Sequence, residues 1–279
     1  MGLDIDFLKK IALDIYEAVN PLLGTEEAGI KSKRGAGGDI SMKIDEIAEK
    51  IVIDNLEEKD VNLLLISEEI GEKYIGEKGE AIENQNIIII DPIDGSNNAV
   101  RGIPYCSVSI AYAIGKSVQD IIMAVVLDLN TKDIYWAIKN EGAYLNDKKI
   151  KVSDLDIKDN CFFELNLPTR NIFDHVDKLR PVIKRFYRFR VLGSSALTLY
   201  QVAKGSMDVF INLRDSNRLV DVAAGFLILK EAGGVMMALD GTEINGNLSI
   251  DLRFPFIASN LKLVPFLKEE LISKYQSKN

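Results

Sequence analysis

Four isoleucines in succession, Ile87 to Ile90, run directly into Asp91-Pro92-Ile93-Asp94-Gly95-Ser96-Asn97-Asn98. A short apolar run of this kind reads as a strand buried on both faces. Ending such a strand in two carboxylates requires something to pair with them, because an unpaired buried charge costs several kcal/mol or titrates away. Pro92 fixes its own φ and biases Asp91 toward extended backbone. Two acids on a stiff turn can converge on one divalent cation. Gly95 lets the chain pass close to a ligand, and the amides from Gly95 onward can cradle an anion. The competing reading is a solvated acidic turn.

The same design recurs. Val61–Ile66 reads as a short strand running into Ser67-Glu68-Glu69, and Asp221 opens an apolar helix, Asp221-Val222-Ala223-Ala224-Gly225-Phe226, closed by Gly233-Gly234. Glu68 also reads as a solvent-facing loop acid and Asp221 as an N-cap. Taken together, Glu68, Asp91, Asp94 and Asp221 form an all-oxygen donor set, which suits Mg2+ or Mn2+ better than zinc. Two such ions about 3.5–4 Å apart clamp the attacking and leaving oxygens of an in-line displacement. The single histidine, His175, reads as a surface or capping residue and removes histidine-based triads and zinc sites.

The 279 residues are 47% hydrophobic and 27% charged, enough for a large core in one or two joined domains. A net charge of -8 argues against a nucleic-acid or membrane-surface role, although bound cations can still draw an anionic substrate. The two cysteines, Cys106 and Cys161, read as small core residues, and Trp136 as packing. Neither a signal peptide nor a membrane-spanning run is visible, so a cytoplasmic protein is expected.

In chain order, Leu3–Val19 and the stripe Ile44, Ile47, Ala48, Ile51, Leu56 predict amphipathic helices, with Asp45 in the first turn of the second. The loop between them, Gly29–Gly38 with Lys31, Lys33 and Arg34, reads as mobile, either a plain connection or a lid. Residues 71–85 read as a polar surface excursion. Strands are expected over 107–114, 121–127, 133–138 and 142–145, joined by short turns that imply antiparallel hairpins. Further on, 161–165, 189–192, 208–213, 235–239 and 256–259 read as strands. Helices are expected over 174–186, 196–204 and 265–275. Gly193-Ser194-Ser195 joins a strand to a helix N-terminus, a geometry that receives anions or hydroxyls but is explained equally by N-capping. Arg214-Asp215-Ser216-Asn217-Arg218 reads as exposed.

Ser67-Glu68-Glu69, Asp91-Pro92-Ile93-Asp94-Gly95-Ser96-Asn97-Asn98, Val220-Asp221-Val222-Ala223-Ala224-Gly225 and Glu231-Ala232-Gly233-Gly234 together resemble the inositol monophosphatase family, in order and spacing over nearly the whole chain. The likeness is greatest to its compact archaeal members acting on inositol monophosphate and fructose 1,6-bisphosphate. The resemblance implies an α+β fold, a five-layered αβαβα sandwich. An antiparallel N-terminal sheet would lie in residues 1–150, with most metal ligands. A smaller mixed sheet would lie in 151–279, supplying Asp221 and substrate contacts. It implies a homodimer, a small phosphate-ester substrate and two to three Mg2+ ions, with Mn2+ as a substitute.

By the same resemblance, Glu68, Asp91 and the Ile93 carbonyl would hold one ion, and Asp91, Asp94 and Asp221 a second. A third would sit near Glu68, with Asp39 a possible ligand in a metal-sensing loop over 31–39. Gly95 and Ser96 amides would take the phosphate. Ser96, hydrogen-bonded to Asp45, would orient the metal-activated water that attacks phosphorus, so that Glu68, Ser96 and Asp45 form the catalytic set. Gly193, Ser194 and Ser195 would meet substrate hydroxyls. Departures from the family pattern are Ser96 where threonine is usual and Val220 where tryptophan is frequent. The acidic sugar contact is replaced by Asn212 or by the Arg214–Arg218 segment, whose guanidiniums suit a second phosphate. The implied activity is a Mg2+-dependent phosphomonoesterase. The alternatives are a phosphatase for other sugar phosphates or for 3′-phosphoadenosine 5′-phosphate and, in another class, a regulatory binding protein with a vestigial site.

Overall fold

The computed structural model describes residues 2–35 and 40–276. Helix α1 (Ile5–Val19) buries Leu8, Ile11, Ala12, Ile15 and Val19 at three-and-four spacing, and Asp4 caps it by accepting from the Phe7 amide at 2.8 Å. A two-stranded ribbon, β1 (Lys31–Arg34) with β2 (Ile40–Met42), leads into α2 (Lys43–Glu58). The segment expected as a loop over 31–39 therefore begins as a strand, and Asp39 lies outside the described residues.

Next come β3 (Leu63–Ser67), β4 (Gly71–Ile75), α3 (Lys78–Asn84) and β5 (Asn86–Asp94). The polar excursion expected over 71–85 is thus an edge strand and a short helix. Only Gly71 and Ile75 of β4 and Ala81 of α3 are buried, so the apolar signal is too thin to show in sequence. The structural need for them is clear: β3 and β5 pair in parallel, and parallel neighbours require a long crossover. After α4 (Ser96–Arg101), the strands β6 (Ser107–Ile114), β7 (Ile121–Asp128), β8 (Ile134–Ile138), β9 (Gly142–Leu145) and β10 (Lys148–Ile150) follow as a meander. The eight-stranded sheet runs β10-β9-β8-β7-β6-β5-β3-β4. It is mixed, where an antiparallel sheet was expected: β3–β5 is the parallel exception.

The second sheet is mixed, with the order β12-β11-β13-β15-β14. In chain order its elements are β11 (Phe162–Asn166), α5 (Ile172–Arg185), β12 (Arg188–Arg190), α6 (Ser195–Ala203) and β13 (Val209–Asn212). They continue with α7 (Ala223–Glu231), β14 (Val235–Met237) and β15 (Phe256–Ser259). The C-terminal helix expected as one piece is α8 (Val264–Leu267), a π-helical turn Lys268–Ile272 and α9 (Ser273–Gln276).

Strand alternation sorts the side chains into three cores. Ile88 and Ile90 of β5 join Leu63, Leu65 and the buried faces of α1 and α2. Ile87 and Ile89 face the other way, onto α6 and α7, and Phe210, Phe256 and Ala258 of the smaller sheet close that middle core from beyond. On the far side, Val209, Ile211 and Ile257 pack against Leu179 and Val182 of α5 and against Leu263, Leu267 and Leu271. Helices, sheet, helices, sheet, helices is the αβαβα layering expected. His175 packs in the last layer, its Nδ1 3.1 Å from the Tyr275 hydroxyl. Each buried isoleucine of β5 contributes roughly 1.5–3 kcal/mol, so this strand can carry repelling carboxylates at its end without giving way.

Candidate active site

The acids converge because of an irregularity in β5. Asp91 keeps the phase of Ile87 and Ile89 and faces the middle layer. Three residues further on, Asp94 would point to the opposite face in a regular strand. The register slips between them: Asp91 stands opposite Ser109 and Asp94 opposite Ser107, three residues of β5 against two of β6. This bulge returns Asp94 to the same face and sends Ile93 into the core under α1 and α2. The Ile93 amide donates to Asp91 Oδ1 at 3.1 Å, fixing the turn.

Parallel pairing supplies the third acid. Ser67 lies beside Ile90, so Glu68, the next residue, comes level with Asp91. Asp221 enters from the middle layer, just before α7. One oxygen from each of Glu68, Asp91 and Asp221 lies within 4.8 Å of the others. These three come together; Asp94 stands beside them with its oxygens turned to α6. Its Oδ2 accepts from the Ser194 hydroxyl and, at 2.7 Å, from the Ala196 amide, and its Oδ1 from the Ser195 amide at 3.3 Å.

Burial pushes the Glu68 carboxyl up to about 8 and Asp94 up to about 7. Asp91 and Asp221 are also raised by burial, Asp91 further by the surrounding negative charge of Glu68, Asp94 and Asp221. The Arg218 guanidinium opposes this charge most directly. Arg218 Nη1 lies 2.6 Å from Glu68 Oε1, and Arg218 Nε 3.3 Å from Asp221 Oδ1. The segment expected to be exposed is therefore only partly so: Arg214–Ser216 are exposed, whereas Asn217 is buried and the Arg218 side chain is 14% exposed. Asn212 does not face outward either; it is fully buried and tied to Asn217 at 2.8 Å and to the Arg214 amide at 3.1 Å.

The residues fit a hard divalent cation. The donors are all oxygen, two buried acids (Asp91, Asp94) and two half-buried ones (Glu68, Asp221) crowd around the Arg218 guanidinium, and the hydroxyls of Ser107 and Ser109, opposite Asp94 and Asp91, are buried with no hydrogen-bond partner among the described residues.

Ser96, first residue of α4, places its hydroxyl 2.8 Å from Asp45 Oδ1 and 2.8 Å from the Ile93 carbonyl. Asp45 serves two purposes. Its Oδ2 accepts from the Met42 amide at 2.9 Å, closing the start of α2, while Oδ1 meets Ser96. Burial raises its carboxyl to about 6. Gly95 has φ of 90°, and a Cβ there would sit 3.0 Å from the Tyr105 carbonyl, so glycine is required by both conformation and space. Gly193, also at positive φ, approaches Asn98, whose Nδ2 donates to the carbonyls of Leu192 and Tyr105, each at 2.8 Å. Ser194 and Ser195 are buried and engaged with Asp94.

Three supports escaped the sequence reading. Glu49 of α2, which sits on the helix stripe as a charge, is 9% exposed and accepts from the Ser67 hydroxyl and, at 3.2 Å, from the Ile70 amide, holding the turn that presents Glu68. Glu69 accepts from the Ser41 hydroxyl. Asn98 stitches α4 to the start of α6; the only signal for it was its place in the Gly-Ser-Asn-Asn run.

A layered αβαβα fold with acids gathered at strand and helix ends beside a glycine turn at a helix start matches a class, the metal-assisted phosphate-ester hydrolases. The chain belongs to the inositol monophosphatase family, whose model matches residues 4–278. It is 40% identical over 272 residues to the fructose-1,6-bisphosphatase/inositol-1-monophosphatase of Methanothermobacter thermautotrophicus, covering 93% of this chain and 95% of that one. It is 35% identical to the bifunctional NADP phosphatase/NAD kinase of Methanococcus maripaludis, covering 92% of this chain but only 47% of that longer protein. Among solved structures, an inositol monophosphatase–fructose 1,6-bisphosphatase superposes with a TM-score of 0.82 at 29% identity, over 94% of this chain and 97% of that one. The chain is thus a phosphatase of a metal-dependent family, and no helix among its described residues is long and apolar enough to cross a membrane.

Proposed function

We propose that the chain is a Mg2+-dependent phosphomonoesterase for small polyol and sugar phosphates, inositol monophosphate and fructose 1,6-bisphosphate among them, working with two to three ions and accepting Mn2+ in their place. The observation that carries this reading is the meeting of Glu68, Asp91 and Asp221 oxygens within 4.8 Å, next to a serine hydroxyl held by a buried acid. Glu68, Asp91, Asp221, the Ile93 carbonyl and Asp94 would hold the ions. Bound there, divalent cations would neutralise the phosphate and make water a nucleophile near neutral pH.

The protein's own groups do the rest. The Ser96 hydroxyl donates to Asp45 or to the Ile93 carbonyl, which leaves its lone pairs to accept a hydrogen bond from an incoming water and orient it toward phosphorus. Asp45, raised to about 6, is poised to share that proton. The Gly95 and Ser96 amides at the start of α4 would receive the phosphate. The Gly193–Ser195 turn lies against Asp94 and would border the alcohol portion. Arg214 is exposed and near enough to favour the ionised form of Asp221, a placement that suits a second phosphate.

The same reading includes a cytoplasmic homodimer built from units 1–150 and 151–279. The edge strand β12, flanked by Tyr187 and Val191 at 46% and 69% exposed, supports association. A vestigial binding protein would have no need to keep all of Glu68, Asp91, Asp94 and Asp221. A second reading, a phosphatase for the 2′-phosphate of NADP, is favoured by the similarity to the bifunctional relatives. Phosphate release from inositol 1-phosphate, fructose 1,6-bisphosphate, 3′-phosphoadenosine 5′-phosphate and NADP, with and without Mg2+, decides among them. Highest kcat/KM on the first two, lost on chelation, is expected; turnover undiminished by chelation would refute the metal-dependent reading.

A further inference from the structure

Arg218 holds the two acids that a cation needs. Its Nη1 lies 2.6 Å from Glu68 Oε1, its Nε 3.3 Å from Asp221 Oδ1, and its backbone amide 3.2 Å from Asp221 Oδ2. Both oxygens of Asp221 are therefore engaged by one residue three positions earlier. The turn between them cannot drift: Leu219 and Val220 are each 1% exposed, and the Leu219 amide donates to the Leu252 carbonyl at 2.9 Å. Glu68 and Asp221 are two of the three acids whose oxygens converge within 4.8 Å. A guanidinium and a hard cation are both positive and draw on the same two carboxylates, so a cation seated among Glu68, Asp91 and Asp221 is repelled by Arg218 and weakens its hold on them.

From this geometry we infer that Arg218 is a resident counter-ion of the carboxylate cluster, which a divalent cation must displace from Glu68 and Asp221 in order to bind. The inference rests on the cation reading of the site. It gives the chain a device that keeps clustered acids paired when no metal is bound and that sets the metal affinity lower than the bare acids would. Arg218 is in this sense a positioning residue: it acts on the ligands, not on the substrate.

The test uses the full chain without substrate. In wild type labelled with 15N-arginine, the Arg218 Nε–Hε signal, assigned by its loss in Arg218→Lys, is followed during Mg2+ titration alongside calorimetry. Displacement requires that signal to shift or to begin exchanging with water, saturating at the calorimetric Kd. In calorimetry Arg218→Gln is expected to bind Mg2+ at least fivefold more tightly than wild type. Should that variant not fold, Arg218→Lys, which can reach only one carboxylate at a time, is expected to bind at least twofold more tightly. An Arg218 signal that ignores saturating Mg2+, or variants with unchanged or weakened affinity, would overturn the inference while leaving the metal site intact. Absence of any Mg2+ binding to wild type would overturn the site reading itself.

Discussion

Asp94 at the end of β5 and Ala196 in the first turn of α6 are joined by a 2.7 Å hydrogen bond across 102 residues of sequence. With Ser194 and Ser195 also donating, the carboxylate closes the α6 N-terminus, where the helix dipole favours negative charge. The anion that this helix end receives is a protein side chain. Asp94 thereby ties the end of β5 to helix α6 of the middle layer at the site. Asp94→Asn keeps the shape, removes the charge and leaves one acceptor oxygen. Loss of a cap costs about 0.5–2 kcal/mol, offset in part by relief of repulsion among buried acids. The expected result is a melting temperature within a few degrees of wild type and a kcat/KM reduced about 100-fold, the upper end for disturbed metal-site partners. Thermal unfolding and phosphate release measure the two separately.

Ser96 gives a cleaner chemical test. Its hydroxyl stands between Asp45 and the Ile93 carbonyl, and both contacts are lost in Ser96→Ala. Proton-handling groups typically contribute 10²–10⁴-fold, so kcat is expected to fall by about that factor with KM little changed. Ser96→Thr retains the hydroxyl and is expected to keep activity within about tenfold. Equal kcat for the alanine and threonine variants would remove Ser96 from the mechanism.

Much of this site was legible because each acid borders an apolar element: Val61–Ile66 runs toward Glu68, Ile87–Ile90 into Asp91, and Asp221 opens an apolar helix. The five layers followed from the family resemblance, and the strand phases agree with them. What could not be read is what long-range contact decides. Arg218 sits in a polar segment that reads as exposed, and nothing local reveals Glu68, which meets it from the end of β3. Glu49 looks like a solvated helix charge until Ser67 is placed over it. The run 71–85 hides a strand and a helix because an edge element needs few buried residues. The bulge that puts Asp91 and Asp94 on one face is hinted at by Pro92 but is fixed only by pairing with Ser107 and Ser109.

The buried acids also set a pH dependence. Folding raises Glu68 to about 8, Asp94 to about 7 and Asp45 to about 6, from ordinary values of 4.5, 3.8 and 3.8. The folded state thus holds protons that the unfolded state has released. Stability from these groups is fully present below about pH 4 and is lost as pH rises through 6 to 8. Metal-free protein is expected to melt at progressively lower temperature from pH 5 to 8. If these acids hold Mg2+ as proposed, the ion would compete with those protons, so its stabilising shift is expected to grow over the same range. Differential scanning calorimetry at fixed ionic strength, with and without Mg2+, checks both signs; a Mg2+ shift that shrinks with rising pH would contradict the assignment of these acids as ligands.

Gly225 tests how packing holds Asp221 in place. It lies in α7, one turn beyond Asp221, where a Cβ would come within 2.5 Å of Leu199 Cδ1 and 2.7 Å of Leu199 Cβ on α6. Because Leu199 Cβ is fixed to the backbone, the clash cannot be relieved by a rotamer change alone and the two helices must part. Replacing a helical glycine by alanine gains at most about 1 kcal/mol in helix propensity, and less in a first turn such as this, whereas overpacking a tight core costs typically 1–3 kcal/mol. The second term is expected to win. Gly225→Ala should therefore lower stability by roughly 1–2 kcal/mol and, by moving the start of α7, weaken Mg2+ affinity without touching any ligand. Gly225→Ala combined with Leu199→Ala, which opens space for the added methyl, is expected to recover the metal affinity even though the lost leucine leaves stability low. Calorimetric Mg2+ titration of the single and double variants separates this packing effect from any direct role of the residue in binding.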